Sequence, residues 1–337
     1  MGQMVTLIGV RPIPGSERKC SRDVSTPPTD GPGTSASFAK RGRELVMGVT
    51  QERLERFEAN RRRLFGVAYR LLGEASEAED VVQDAYIRWQ RSDYAVSPEA
   101  WLTKVVTNLC LDRLTSARAQ RERYVGPWLP EPVVTGGGLD PLETVEQREL
   151  LSLGMLVLLE RLTPPERAVF VLREAFGHSH REIAEILEAN EPHVRQLYRR
   201  AQQHVAAARK RFTAPPGQRR ELLERFLEAT LGGDVPALER MLAEDVVAWA
   251  DGGGKAPAMR RPVVGREQVL RYLLALSEYA QRLRLTPDVV NGEPAFVTYL
   301  DGQLSGVTVP EFDGDRIVAI RTITNPDKLA FFAKQKM

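Results

Sequence analysis

From Arg53 onward, apolar positions recur at helical spacing. Leu54, Phe57, Leu64, Phe65, Ala68, Leu71 and Leu72 share one face, with Arg61 the exception, and Gly73 ends the run. Ser76 and Glu79 have the spacing of a capping box, which opens a second helix over SEAEDVVQDAYIRWQ. Ser97-Pro98 reads as N-cap and first turn of a third helix, with Trp101, Val105, Leu109 and Leu114 as its apolar stripe. Proline and glycine then dominate residues 124–142, a linker that is nevertheless apolar at Trp128, Leu129, Pro130 and Pro132. Helical periodicity resumes from about 143 to 162 and continues to about 212. After TAPPGQ, 213–218, two more helices (about 219–231 and 234–243) precede the strand-like EDVVAWAD. Another helix follows over about 265–281. Four strands come last, RLRLTPDVVN, PAFVTYLD, LSGVTVPEF and RIVAIRTIT, each bounded by turn-forming residues.

Helices first and strands later predict a multidomain chain. Its parts are a tail over residues 1–50, a three-to-four-helix bundle over 51–123, the linker 124–142, a second all-α domain over 143–212, a short linker over 213–218, and an α+β domain with a curved antiparallel sheet over 219–337. The tail is rich in Gly, Pro, Ser and Thr and predicts flexibility. Met47 lies almost at the first periodic helix and is an alternative start to Met1. The formal net charge of +2 means that any nucleic-acid role must rest on local patches. The two cysteines, Cys20 and Cys110, build neither a disulfide framework nor a cysteine zinc site. With no apolar run of membrane-spanning length, the expected compartment is the cytoplasm.

The sharpest local pattern is HSHREIAEILEANEPHVRQLYRRAQQHVAAARKRF, residues 178–212. A short helix carrying Ile183, Ala184, Ile186 and Leu187 is followed by a turn in which Asn190 suits the N-cap of a second helix. That helix sets Val194, Leu197, Tyr198, Ala201, Val205 and Ala208 on its buried side and a basic face opposite. This is the layout of a helix-turn-helix whose second helix enters a major groove. Glu191 can accept from cytosine, and Arg195 and Gln196 can donate to purine edges. Arg199 and Arg200, farther along, reach phosphates, and His193 is a further base or phosphate contact.

Here the chain resembles a bacterial sigma factor of the extracytoplasmic-function group. LTPPERAVFVLREAFGHSHREIAEILEANEPHVRQLYRRA resembles region 4, RLFGVAYRLLGEASEAEDVVQDAYIRWQ regions 2.1–2.2, and PEAWLTKVVTNLCLDRLTSARA regions 2.3–2.4. The likeness covers about residues 53–210. The C-terminal part resembles a SnoaL-like domain of the NTF2-like fold, and the pairing resembles the sigma-J type. That subgroup's motifs stand intact as Trp128-Leu-Pro-Glu-Pro132, Asp251-Gly-Gly-Gly-Lys255 and Asn325-Pro-Asp-Lys328.

The resemblance implies binding of core RNA polymerase through the largest subunit's coiled coil and the flap region. Asp80, Gln83, Asp84 and Arg88 form the polymerase-facing stripe. It implies opening of a −10 element by Lys104, Asn108, Arg113 and Arg118, and reading of a −35 element by the residues after Asn190. It also implies regulation from within, without a separate anti-sigma factor, through Trp128, Pro130, Asp251, Gly252, Gly253, Gly254, Lys255, Asn325, Asp327 and Lys328. No cofactor, metal or membrane partner is implied.

The run DGGGK is not a phosphate loop. It lacks the GxxxxGK[ST] spacing, and Pro257 removes a donor such a loop needs. Two other readings stay open. One is a helix-turn-helix regulator acting without polymerase. The other is an extension that senses a small ligand or acts as a cyclase, in a cavity lined by Trp249, Asp251, Tyr299 and Arg321, with Asp245 or Asp251 as base.

Overall fold

The computed structural model describes residues 34–92, 97–121, 123–135, 149–206, 216–277 and 281–337; side chains of residues 34–50, 117–120, 216–217 and 276–277 lie outside that description. Met1–Glu52 and Arg53–Met337 are two separate units. Of the first, the described part is helical backbone, because α1 runs Thr34–Leu72 and starts well before Arg53. The expectation of a flexible tail is corrected for 34–50; residues 1–33 and Cys20 lie outside the described residues.

In the second unit, α1, α2 (Ala75–Arg91) and α3 (Pro98–Arg121) pack through Leu64, Val67, Leu71, Val82, Leu102 and Val106. Ser76 does not cap α2. Glu74 holds the N-cap position without a side-chain capping bond, its carboxylate accepting from Arg121 instead, and Ser76 serves the linker. Trp101 is half-buried and tilted against Trp89, a core position.

Of the helical stretch expected over about 143–162, the described part holds a helical Glu149 and then α4 (Leu153–Leu159); residues 136–148 lie outside the described residues. Thr163, in a capping box with Glu166, starts α5 (Pro164–Glu174). Ser179 and Glu182 cap α6 (His180–Leu187) in the same way. Glu188 turns the chain in the left-handed region at φ 52°, and Asn190 Oδ1 accepts from His193 N at 2.9 Å to open α7 (Glu191–Ala206).

The C-terminal domain starts with α8 (Pro216–Gly232) and α9 (Val235–Met241). Then come β1 (Leu242–Asp251), a two-residue β2 (Val263–Val264) and α10 (Arg266–Ser277). Strands β3 (Leu283–Val290), β4 (Glu293–Leu300), β5 (Gln303–Asp313) and β6 (Arg316–Ile323) complete the sheet, and α11 (Pro326–Lys336) ends the chain. The sheet order is β2-β1-β6-β5-β4-β3. It is antiparallel except that β1 runs parallel to β6, so the sheet is mixed rather than wholly antiparallel. Helices precede a curved sheet in an NTF2-like cone.

Both faces of this sheet are covered, and strand alternation decides what each face meets. Phe296, Ile320, Val246 and Ala248 face the cone's own helices with Phe226, Leu238 and Leu273. Val297, Val307, Val309 and Ile323 face the opposite way, where they meet Leu129 of the linker, Leu153 of α4 and Phe332 of α11. The outer face of the sheet is therefore the platform on which the helical modules sit. Gly154 makes a close approach: a β-carbon there would run into the Glu311 carboxylate, itself paired with buried Arg321. Gly154→Ala is expected to wedge α4 off the sheet at about 1–3 kcal/mol. The measurement is the thermal midpoint by circular dichroism; an unchanged midpoint refutes the close fit.

Candidate functional site

The apolar linker enters the protein interior. Leu129 is 1% exposed, Pro130, Glu131 and Pro132 are buried, and Trp128 is half-buried. Trp128 lies beneath two cations, the Arg121 guanidinium at 3.9 Å and Lys328 Nζ at 4.3 Å from the ring centre. Glu131 accepts from Ser76 N and Ser76 Oγ, both at 2.9 Å, tying the linker to the start of α2. Burial holds the Glu131 carboxyl above the usual carboxylate range, and the Ser76 bonds oppose that shift. Beyond it, Thr135 N donates to Val289 O at 3.0 Å, and Val134 bridges Val290. Residues 133–135 thus lie along β3, the edge strand of the sheet.

Asp251 closes the linker from the other side. Its buried carboxylate accepts from Tyr124 Oη (2.6 Å), Leu129 N (2.8 Å), Gly253 N (3.1 Å) and Lys328 Nζ (2.7 Å). Lys328, 5% exposed, also donates to Leu129 O. Burial pulls the Lys328 amine below its ordinary value, and Asp251 counters that. Burial and the Asp251 carboxylate raise the Tyr124 phenol, so it remains a donor.

Asn325 Nδ2 donates to Tyr124 Oη at 2.8 Å, and Asn325 Oδ1 caps α11 through Asp327 N. The glycines serve this packing. Gly253 has φ +57°, and a β-carbon on it would strike Asn325 and Tyr124; one on Gly252 would strike the Ala256 carbonyl. Lys255 stands apart, exposed and paired with exposed Asp327. The motif residues named from the sequence therefore meet at one place, with Asp251 and Lys328 central and Lys255 peripheral.

A second junction was not anticipated. Asn291, at φ +55° in the tight Asn-Gly turn between β3 and β4, is completely buried among the helical modules. Its Nδ2 donates to Tyr69 Oη (2.7 Å) on α1 and to Leu151 O (2.9 Å) ahead of α4. Its Oδ1 accepts from Val133 N of the linker at 3.1 Å. Tyr69 in turn donates to Glu131 O at 2.6 Å. The Asn-Gly dipeptide was the available signal for the turn, but nothing local showed that its tip inserts elsewhere.

The two helical modules also touch directly. Arg167, 2% exposed on α5, donates to Arg70 O of α1 and pairs with Glu160, which Arg121 of α3 shares. Arg63 Nη2 lies 3.1 Å from His178 Nε2. Lys104 on α3 pairs with Glu188, in the turn of the helix-turn-helix, at 2.9 Å.

Residues 56–120 match the Sigma-70 region 2 family, and residues 153–205 match Sigma-70, region 4. The ECF RNA polymerase sigma factor SigJ of Mycobacterium tuberculosis is 38% identical over 288 residues, covering 81% of this chain and 91% of that protein. This chain is an ECF sigma factor. The probable ECF RNA polymerase sigma factor SigI of the same organism is 30% identical over 277 residues, covering 81% of this chain and 93% of the relative. The crystal structure of M. tuberculosis SigJ superposes with a TM-score of 0.67 at 37% identity, covering 82% of this chain and 98% of that one.

As a sigma factor, the protein works by binding core RNA polymerase and promoter DNA to start transcription, not by catalysis. The sigma factor's outward residues fall into three groups. On α2, Asp80, Gln83 and Arg88 are exposed, while Asp84 is half-buried and pairs with Arg113 at 2.9 Å. Arg113 also pairs with Glu77, so both its Nη atoms are engaged within the bundle. On α3, Lys104 and Asn108 are half-buried, and the Arg118 side chain lies outside the described residues. On α7, His193, Arg195, Gln196, Arg199 and Arg200 are exposed, and Arg195 pairs with Glu191 at 2.6 Å.

The expected lining of the cone cavity is corrected. Trp249, Asp251 and Arg321 lie one residue out of step with Ala250 and Thr322, which face the cavity, and Tyr299 with Thr298. They therefore project to the outer face, where Arg321 stacks on Trp249 at 4.8 Å. Asp251 is spent in the linker junction, and Asp245 is exposed, so neither is a base in the cavity.

Among the described residues, no helix is long and apolar enough to cross a membrane, and no group of side chains could hold a metal ion.

Proposed function

We propose that this is the closed form of a sigma factor regulated by its own C-terminal domain, working in the cytoplasm without a separate anti-sigma factor. The observation carrying this is the buried junction of Asp251, Lys328, Tyr124 and Leu129, reinforced by Lys104–Glu188 across the helical modules. Elements named for positions 25 base pairs apart are separated by about 85 Å of duplex at ~3.4 Å per base pair. Modules that share ion pairs cannot stand that far apart. Promoter engagement therefore requires the modules to part, and the junction opposes parting.

In the opened form, Asp80, Gln83 and Arg88, with Asp84, hold the coiled coil of the polymerase's largest subunit, while region 4 meets the flap. Lys104, freed from Glu188, joins Asn108 and Arg118 at the −10 strand. Unstacking a base there costs a few kcal/mol, which phosphate contacts and base capture offset. On α7, Glu191, Arg195, Gln196 and His193 face −35 base edges, and Arg199 and Arg200 face phosphates.

Run-off transcription with purified core polymerase tests the reading; a chain that never yields transcript on any promoter template overturns it. For the assigned phosphate contacts, Arg199→Ala and Arg200→Ala should each lower the slope of log affinity against log salt by about 1. Holoenzyme binding to −35 duplex across a salt series measures this, and an unaltered slope rejects the assignment.

A further inference from the structure

The concave face of the sheet encloses a cavity of about 760 Å³, within the size range of small-molecule sites. Phe226, Met259, Leu283, Phe296 and Ile320 give it an apolar wall. Among the described lining residues, the ionisable ones are Lys255 and Tyr272. Lys255 is at the rim, drawn outward to Asp327. Burial raises the Tyr272 phenol above its ordinary value, and Thr322 opposes that shift. Polar character inside comes from hydroxyls: Thr308 and Thr322 lie 3.1 Å apart, and Ser305 donates to Thr298 O at 3.2 Å. A hydroxyl has one donor and two lone pairs, so these groups keep spare hydrogen-bonding capacity. Away from the rim lysine, a charged ligand would lose its hydration without gaining a countercharge from the described lining residues. Among the described lining residues there is no carboxylate, histidine or cysteine.

One wall of the cavity is shared with the linker junction. Lys255, Ala256, Pro257, Ala258 and Met259 line it, and they continue the glycine run. The other side of the same loop touches the linker: a β-carbon on Gly254 would lie 3.3 Å from Val125, and one on Gly126 3.7 Å from the Met259 carbonyl. Thr324 and Pro326 also line the cavity and flank Asn325, the partner of Tyr124.

We infer that the cone is a receptor for a neutral, largely hydrocarbon small molecule carrying one or two hydrogen-bonding groups, whose occupancy repositions the 252–260 loop and thereby the linker. This rests on the proposed regulation by the C-terminal domain and supplies its input. The ligand meets Thr298, Ser305, Thr308 and Thr322 with its polar group and fills the apolar wall with the rest. Occupancy presses on Ala256–Met259, and the loop transmits the change to Tyr124–Leu129.

The test uses the full chain and the neutral dye Nile red, with no polymerase. Saturable one-to-one binding with blue-shifted emission is expected, at least tenfold weaker in Ser305→Phe and in Thr298→Phe; two variants are used, each checked for native circular dichroism. Amide exchange over residues 124–131 should change at least threefold with saturating dye in the unmodified chain and stay constant in the variants. Absence of saturable binding, equal binding of the anionic anilinonaphthalene sulfonate, or indifference to both substitutions overturns the receptor. Dye binding without altered exchange in the linker overturns the coupling. The junction itself is probed separately by the dye-free transcription assay of Asp251 variants, so a failed receptor and a failed junction give different results.

Discussion

Asp251→Ala is expected to raise initiation from core polymerase, because it leaves Lys328 buried without its countercharge. Removing one partner of a buried pair costs about 3–5 kcal/mol. The same substitution strips the acceptor from Leu129 N and Tyr124 Oη, so the penalty falls on the closed arrangement. A loss of about 3 kcal/mol shifts the closed-to-open ratio by roughly a hundredfold. In run-off assays, the variant should reach half-maximal transcript at a concentration at least about tenfold lower than the unmodified chain. Asp251→Asn keeps an acceptor but not the charge and should fall between. Lys328→Met removes the stranded amine, so the double variant should cost less than the sum of the two changes. Lys255→Ala, at an exposed pair, should change little, on the order of 0–1 kcal/mol. Equal outputs from the unmodified and Asp251→Ala chains would refute the junction as a restraint.

Asn291→Ala should loosen the second junction by a comparable amount. It leaves Leu151 O and Val133 N without their partner and takes one bond from Tyr69 Oη, in a place water does not reach. Each stranded buried group costs about 1–3 kcal/mol. An alanine at φ +55° adds about 1–2 kcal/mol of backbone strain. Asn291→Gly, which relieves the strain but not the lost bonds, separates the two contributions. The readout is amide exchange of Val133: protected in the unmodified chain, and faster by two or more orders of magnitude in either variant. Persistent protection in Asn291→Gly would mean that the side chain is not what holds the linker.

The helical modules were legible because their signals are local. Asn190 and Pro192 set the start of α7, and the spacing of Val194, Leu197, Ala201 and Val205 names its buried side without reference to anything distant. The apolar strip at Trp128–Pro132 also announced its own burial. The partners were harder to read, because they come from remote parts of the chain. Ser76 has the spacing of a cap yet bonds Glu131, fifty-five positions on. In the sheet, Trp249, Tyr299 and Arg321 were assigned to the cavity, but both faces are buried, so hydrophobicity alone does not reveal which parity points inward. Lys328 was named for its motif, but a lysine in the first turn of a terminal helix carries no sign of burial until the linker is laid over it.

The three linker residues along β3 have a consequence for the freed factor. While residues 133–135 stay in place, they cover the end of a strand border that no other described strand pairs. In the proposed opening, lifting the linker would bare the Val289 carbonyl and the Asn291 amide that it now pairs, an edge open to an extended peptide. In the proposed opened form, that border would favour return of the linker for as long as no other strand takes its place.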